Sequence, residues 1–311
     1  MSDSPSVSIV VPLYNEEGNV VPLVRAVVET MGPGSDWELV LVDDGSGDRT
    51  VAAAREQAVR DTRVRLVPLA RNYGQTTAMQ AGFDEARGEV VISMDGDLQN
   101  DPADIPRLIE KLEEGFDLVA GYRVARQDRL WTRKVPSWIA NRMIRAITGV
   151  PIRDNGCSLK AYRRAVLAGL DLYSDMHRFI PAVAAGTMGA RITEIPVRHH
   201  PRRLGESKYG LSRVWKVLVD LLTITMIRWF RDRPLMMFAF GALGAAVAGL
   251  AFSAAALISL TTCGASKADA LVLPGSALLF FGLAFYLMML GLIGEVAVSG
   301  ADPEPRVDST R

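Results

Sequence analysis

Over the first 121 residues, short apolar runs alternate with stretches whose apolar positions recur every three or four residues. The runs are Val7–Leu13, Glu38–Val42, Val64–Leu69, Glu89–Met94 and Asp117–Ala120, and each predicts a strand. Helical periodicity falls between them, around 18–31, 48–60, 74–87 and 102–115. Pro102 suits a helix start, while Gly88 and Gly115 suit helix ends. Continuous apolar strands joined by helices predict an α/β fold with a mostly parallel sheet covered on both faces. Ligands of such sheets bind at the carboxyl ends of the strands, so the polar residues directly after each run are the ones to read for chemistry.

The second half changes character. Residues 136–149 and 211–231 are amphipathic: Trp138, Ile139, Met143, Ile144 and Ile147 oppose Asn141, Arg142 and Arg145, and Trp215, Leu218, Leu222, Trp229 and Phe230 oppose Arg213, Lys216, Asp220 and Thr223. Tryptophan on one side and basic residues on the other suit helices lying in a membrane interface, the alternative for the first being a surface helix packed on the sheet. Residues 235–260 and 271–294 contain no Asp, Glu, Lys or Arg and are each long enough to cross a bilayer. The small residues of the first suit close helix packing in lipid. Arg228, Arg231 and Arg233 crowd the start of the first span, whereas the turn around 261–270 carries only Lys267 and Asp269. The positive-inside bias then places the large domain in the cytoplasm and returns the chain end to the same side of the inner or plasma membrane. The expected organisation is a catalytic domain over 1–208, a juxtamembrane helix over 209–233, two transmembrane helices over 234–295 and a disordered tail over 296–311.

Charge and cysteine content narrow the function. With 35 basic and 35 acidic residues the net charge is zero, which disfavours a globally basic nucleic-acid binder. Cys157 and Cys263 are far apart and form neither a disulfide framework nor a zinc-spaced cluster. The start of the chain lacks the basic region of a signal peptide.

Three runs end in acids: Tyr14-Asn15-Glu16-Glu17 follows the first, Asp43-Asp44-Gly45-Ser46 the second, and Asp95-Gly96-Asp97-Leu98-Gln99 the fourth. Any one could merely cap a turn or helix. Gathered on one sheet edge, they would repel each other unless a cation lay among them. Asp95 and Asp97 flank a glycine, a spacing that lets both carboxylates approach one hard cation while the small residue leaves room for a ligand. Mg²⁺ or Mn²⁺ is the expected ion, since both accept a few carboxylates together with substrate phosphate oxygens.

The motifs VVPLYNEE (10–17), LVDDGSGDRT (41–50), RNYGQTTAMQAG (71–82), DGDLQNDP (95–102), GYR (121–123), RDNGCSLKAYRR (153–164) and GESKYG (205–210), followed by two apolar spans, are spread over nearly the whole chain. Together they resemble the family 2 glycosyltransferases of GT-A (Rossmann-like) fold, in the polyprenyl- and dolichol-phosphate hexosyltransferase branch. The resemblance implies transfer of a hexose from a UDP- or GDP-hexose to a polyprenyl phosphate, for cell-envelope glycan or glycoconjugate modification. It further implies that Pro12, Tyr14, Glu16 and Asp43 hold the nucleotide, and that Asp95, Asp97 and Gln99 form the metal and donor-diphosphate site. Arg123, Arg133, Arg202 or Arg203, Ser207 and Lys208 match positions near the acceptor phosphate. Asp154 falls where relatives carry an active-site acid, so Asp97, Asp154 and Arg123 are the catalytic candidates. Membrane lipid and a second copy of the chain are the further partners it implies.

An acceptor phosphate monoester is mostly a dianion at neutral pH and needs no general base. The obstacle is repulsion between that dianion and the donor diphosphate, which cations must offset. Direct displacement with inversion is therefore expected, with Asp154 orienting rather than acting as an indispensable base. Three rivals are weaker. A processive polysaccharide synthase would carry Q-x-x-R-W where this chain has Thr225-Met226-Ile227-Arg228-Trp229, and more spans. A non-catalytic membrane scaffold sits poorly with an intact D-G-D-L-Q. A soluble nucleotidyltransferase would need a Gly-rich, Lys-containing N-terminal loop.

Overall fold

The computed structural model describes residues 5–34, 36–123, 150, 152–168, 170, 172, 176–201, 233–262 and 267–299. They belong to two compact units, Met1–Ile224 and Thr225–Arg311. The boundary expected at 208/209, the amphipathic stretches 136–149 and 211–231 and residues 300–311 of the expected tail lie outside the described residues, whereas 296–299, expected in that tail, are helical.

The first unit runs β1 (Val7–Leu13), α1 (Val20–Met31), β2 (Trp37–Asp43), α2 (Thr50–Arg60), β3 (Val64–Pro68), α3 (Gln75–Glu85), β4 (Val90–Ser93), α4 (Ile105–Glu113), β5 (Leu118–Arg123), β6 (Lys160–Arg163), α5 (Arg164–Leu167), α6 (Ile180–Met188) and β7 (Ile192–Val197). A short 3₁₀ turn, Pro102–Asp104, precedes α4, and another, Met176–Arg178, precedes α6. The seven strands form one sheet in the order β3-β2-β1-β4-β6-β5-β7. All pairings are parallel except those of β6, which runs against both β4 and β5. The fold is α/β and mostly parallel, as the sequence pattern predicts.

Two cores flank the sheet because side chains alternate along each strand. Ile9, Val11, Leu13, Leu39 and Leu41 face one core with Leu23 and Val27 of α1 and Leu108 of α4. Val10, Val40 and Val42 face the other with Met79 and Phe83 of α3 and Ile180 of α6. Strands buried on both faces read as unbroken apolar runs, which is why they were visible in the sequence. The five predicted strands differ from those observed by a few residues at their ends. The instructive difference is β5, which continues through Gly121 and Tyr122 to Arg123 instead of ending at Ala120. Pairing with β7 along its whole length extends it and carries Arg123 to the mouth of the sheet. β6 and β7 were not anticipated: β6 is only four residues and both strands interleave polar and apolar positions.

In the second unit, α7 (Pro234–Thr262) and α8 (Lys267–Ser299) form an apolar hairpin. Each contains a 28-residue stretch of high hydropathy that is mostly uncovered, only 17% and 11% of the respective windows being buried. Such a stretch is about 42 Å long, enough to cross a hydrocarbon core of about 30 Å. Their lateral surfaces leave Leu243, Leu250, Leu257, Leu278, Phe285 and Ile293 exposed within this unit. Between the helices, glycines let large side chains approach: a Cβ on Gly249 would lie 3.0 Å from the Phe281 ring, and one on Gly291 2.9 Å from Phe238. Phe252 stacks on Phe280 with centroids 5.4 Å apart. Glu295 accepts a hydrogen bond from the Leu235 N–H at 3.1 Å, satisfying one of the free amides at the start of α7.

One position tests how tightly α3 packs on the sheet. A Cβ on Gly82 would meet Val10 Cγ1 at 2.3 Å and Val42 Cγ2 at 2.9 Å. Gly82→Ala is therefore expected to destabilise the domain by about 1–3 kcal/mol, read as a lowered denaturation midpoint. An unchanged midpoint would mean that the helix can slide away from the sheet without loss.

Candidate active site

The acids predicted to matter stand at the carboxyl ends of β1, β2 and β4, and hydrogen bonds lace the loops that carry them. Asn15 N–H donates to Ser46 Oγ at 2.9 Å, Gly47 N–H to Asn15 Oδ1 at 2.9 Å, and Glu16 N–H to Thr50 Oγ1 at 2.8 Å. Glu16 itself accepts from the Asn19 amide at 2.5 Å. Tyr14 stays exposed beside these links, and Pro12 is half-buried within β1. Among the described residues the two non-glycine positions with positive φ are Asn15 at 54° and Leu98 at 59°. Both lie in these loops. For leucine that conformation costs about 1 kcal/mol or more, and it persists only where the surroundings enforce it.

Asp43 is the last residue of β2, paired with Leu13 of β1 and almost wholly buried. Its Oδ2 accepts from the Ser46 N–H at 3.0 Å. Its Oδ1 is buried with no partner among the described residues. An orphaned carboxylate oxygen at a cleft costs about 1–3 kcal/mol or more, which an incoming donor would recover. The neighbouring Asp44 has a different task. Its two oxygens accept from the N–H groups of Tyr73 and Gly74 at 2.7 and 2.9 Å, pinning the RNYG loop to the β2 end. Gly45, at φ 68°, permits this approach, because a Cβ there would lie 2.3 Å from the Arg71 carbonyl carbon.

At the β4 end, Asp95 accepts from the Gln75 amide of α3 at 2.7 Å, and Asp97 is buried and accepts from the Gln99 N–H at 3.1 Å. Burial first, and the charge of Asp97 second, raise the Asp95 carboxyl above the usual carboxylate range, against opposing effects of Ser158, Lys160 and Arg123. A cation beside such a pair would offset the repulsion between them. Gly96 is needed for a reason other than room for a ligand: a Cβ there would strike Leu13 Cδ2 at 2.4 Å, so the glycine lets the motif pack down on β1. The Gln99 side chain donates to the His200 carbonyl at 3.5 Å, and its amide oxygen has no partner among the described residues.

Arg123 and Asp154 form a bidentate pair, Nε to Oδ2 at 2.6 Å and Nη2 to Oδ1 at 2.9 Å, with side chains 14% and 13% exposed. Burial works against the guanidinium charge, but the hydrogen bonds and charge of Asp154 outweigh it and raise the Arg123 pKa. A carboxylate with both oxygens engaged by Arg is a poor general base. Arg133, Arg202, Arg203, Ser207 and Lys208 lie outside the described residues.

Several participants escaped the sequence reading. The Asn100 amide donates to Ser158 Oγ at 2.7 Å, and the Ser93 hydroxyl to the Ser158 carbonyl at 2.7 Å, which ties the 154–160 loop to the end of β4 and the D-G-D-L-Q-N segment. His200 N–H donates to the Gln99 carbonyl at 2.8 Å, and Asn100 bridges His199, so the strand leaving β7 is zipped onto the same motif. The Arg198 N–H donates to the fully buried Asp104 at 2.6 Å. Lys160, the first residue of β6, is buried and donates to the Cys157 carbonyl. Burial lowers its pKa, only partly offset by acidic groups including Asp154 and Asp95. Cys157 is no nucleophile, its thiol being pushed up to about 11 by burial. The RNYGQ and DNGCSLK motifs signalled that these segments mattered, but not which atoms they join.

With this geometry in place, the comparison with known proteins is decisive at the level of family. The model for "Glycosyl transferase family 2" matches residues 8–170, more than half of the chain. The chain belongs to glycosyltransferase family 2. It is therefore a glycosyltransferase, and the matched region holds Asp43, Asp95, Asp97, Arg123 and Asp154 alike. It is 48% identical over 252 residues to the dodecaprenyl-phosphate galacturonate synthase of Rhizobium johnstonii, covering 80% of this chain and 74% of the relative. It is 38% identical over 291 residues to the undecaprenyl-phosphate 4-deoxy-4-formamido-L-arabinose transferase of Edwardsiella ictaluri, covering 93% and 87% of the two chains. Among solved structures, glucosyl-3-phosphoglycerate synthase from Mycobacterium tuberculosis, in complex with Mn²⁺, UDP and phosphoglyceric acid, superposes with a TM-score of 0.57. Identity there is 19%, with coverage of 72% of this chain and 78% of the other, so it supports the GT-A fold alone.

The raised Asp95 carboxyl makes protons and cations rivals. Mn²⁺ affinity, followed by loss of the free-ion electron paramagnetic resonance signal, is expected to fall as the pH is lowered into the carboxylate range, and Asp95→Asn is expected to weaken binding at pH 7.5 and to flatten that fall. An Asp95→Asn variant that binds Mn²⁺ as the wild type does, with the same pH dependence, would show that Asp95 does not take part.

Proposed function

We propose that this glycosyltransferase moves a hexose from a UDP- or GDP-hexose to the phosphate of a polyprenyl phosphate, with inversion at the anomeric carbon and dependence on a divalent metal. Both relatives above are named for transfer to a polyprenyl phosphate, one of a galacturonate and one of a formamido-arabinose. The observation that carries the reading is the pairing of an orphaned Asp43 oxygen with two crowded carboxylates one strand beyond β1 on the same sheet edge.

The residues fit Mg²⁺ or Mn²⁺. Asp95 and Asp97 are two hard carboxylates, and no group of three or more metal-ligating side chains occurs among the described residues. An ion held by few carboxylates and completed by substrate phosphate oxygens is the usual arrangement for these metals. When bound, it supplies charge neutralisation for the departing nucleoside diphosphate. The chain does the rest by placement. Asp43 Oδ1 accepts an N–H of the base, with Pro12, Tyr14 and Glu16 around the nucleoside. Asp44 and Gly45 fix the RNYG loop, which brings Gln75 to orient Asp95. Gln99 offers its free amide oxygen to the metal and diphosphate.

The acceptor phosphate arrives as a dianion, so no residue needs to remove a proton from it. Asp154 accordingly serves by fixing Arg123, whose remaining N–H groups face the incoming charge. Arg202 and Arg203 follow Pro201 directly, just beyond the segment zipped onto Gln99 and Asn100, and with Arg133, Ser207 and Lys208 they complete the acceptor site. Residues 1–208 act at the cytoplasmic face of the inner or plasma membrane, and α7 and α8 cross it. Self-association in the membrane belongs to the same reading.

Asp97→Asn is expected to cut sugar transfer to a short polyprenyl phosphate by about 10²-fold or more at pH 7.5. Asp154→Asn should retain more activity than Asp97→Asn, and excess EDTA should abolish turnover in the wild type. Equal and complete loss in both folded variants would point to a catalytic base, and undiminished turnover in chelator would defeat the metal-dependent reading.

A further inference from the structure

The strand order lays the polar residues out in a line along the mouth of the sheet. Asp43 ends β2, Pro12 and Tyr14 mark the end of β1, Asp95 follows β4, Lys160 starts β6 and Arg123 ends β5. Adjacent strands are about 4.8 Å apart. A nucleotide sugar is itself linear: nucleoside, diphosphate, sugar. With the nucleoside at β2 and β1 and the diphosphate at β4, as in the reading above on which this step rests, the sugar comes next, over β6. Because β6 alone runs antiparallel, it presents its first residue at the edge where its neighbours present their last.

That first residue is a lysine, 3% exposed. Its hydrogen bond among the described residues goes to the Cys157 carbonyl, which occupies one of three ammonium donors. The acids nearby are otherwise engaged. Asp154 is held by Arg123 through both oxygens, Asp95 accepts from Gln75, and Asp95 and Asp97 together match a divalent cation. No carboxylate forms an ion pair with Lys160 among the described residues. A buried ammonium that forms no ion pair is costly even with Asp154 and Asp95 near enough to offset part of its burial, and the remaining cost is relieved when a ligand brings an anion. The diphosphate has the metal for its partner. A neutral hexose would leave the lysine unpaired.

We infer that Lys160 is the counter-ion for a carboxylate on the donor sugar, so that the donor is a nucleoside diphosphate hexuronate. Lys160 is then the residue that sets sugar specificity, and the bond to Cys157 keeps its ammonium at the start of β6.

The test uses the full-length protein with Mn²⁺ and two matched donor pairs, UDP-galacturonate against UDP-galactose and UDP-glucuronate against UDP-glucose. Both calorimetric binding and transfer to a short polyprenyl phosphate are read. Wild type should bind at least one uronate about tenfold or more tighter than its neutral counterpart, as for a charge-assisted hydrogen bond. K160M should lose about 10–100-fold on that uronate and less than about threefold on the neutral donor, with K160R retaining part of the preference. Equal wild-type affinity for the members of both pairs, or preference for the neutral sugars, overturns the assignment. So does a folded K160M that weakens both members of a pair equally, since Lys160 would then serve the diphosphate, the acceptor phosphate or the loop. Should K160M fail to fold, the wild-type binding preference decides alone. A uronate bound selectively but never passed to the lipid phosphate would uphold Lys160 and sink the proposed reaction, whereas efficient transfer of a neutral hexose would do the reverse.

Discussion

Carboxylates brought together at one end of a parallel sheet repel each other, and much of the catalytic unit is arranged around that repulsion. Asp43, Asp44, Asp95 and Asp97 all stand at strand ends, and each is handled differently. Asp44 spends both oxygens on backbone N–H groups of the RNYG loop. Asp43 keeps one oxygen bonded and one orphaned. Asp95 accepts from Gln75 and Asp97 from the Gln99 N–H, and burial first and the Asp97 charge second raise the Asp95 carboxyl. The first arrangement is structural, the second invites a hydrogen-bond donor, and the third invites a cation.

The scaffold around these groups is stiff where it needs to be. Glycines at 45, 82 and 96 permit approaches that any side chain would block, so the RNYG loop, α3 and the DGD turn each lie against the sheet. The left-handed Leu98 marks where its loop is held against its own preference, whereas Asn15 adopts that conformation readily. On the far side of β4, the 154–160 loop and the 198–200 segment are hydrogen-bonded to residues 99 and 100. The D-G-D-L-Q motif, the loop that carries Asp154 and the 198–200 segment thus form one connected network. The second unit answers a different constraint. Its helices satisfy their backbone groups internally and leave large apolar side chains uncovered, which suits lipid rather than water.

By itself the sequence determined the fold class, five of the seven strands, the two long apolar helices and the placing of the acidic motifs at strand ends. The physical reason is that these features are local: a strand buried on both faces is apolar throughout, a spanning helix must exclude charge, and a strand-end turn is written in neighbouring residues. What only the tertiary structure decided depends on pairings between distant segments. β6 and β7 are short and mixed in character, so nothing local announces them. The extension of β5 to Arg123 needs β7 beside it. The different roles of the adjacent Asp43 and Asp44 depend on where residues 73 and 74 pass. Gly96 reads as space for a ligand until Leu13 is seen beneath it. Lys160 looks like an ordinary lysine until the antiparallel run of β6 buries it at the mouth of the sheet, where no carboxylate forms an ion pair with it among the described residues.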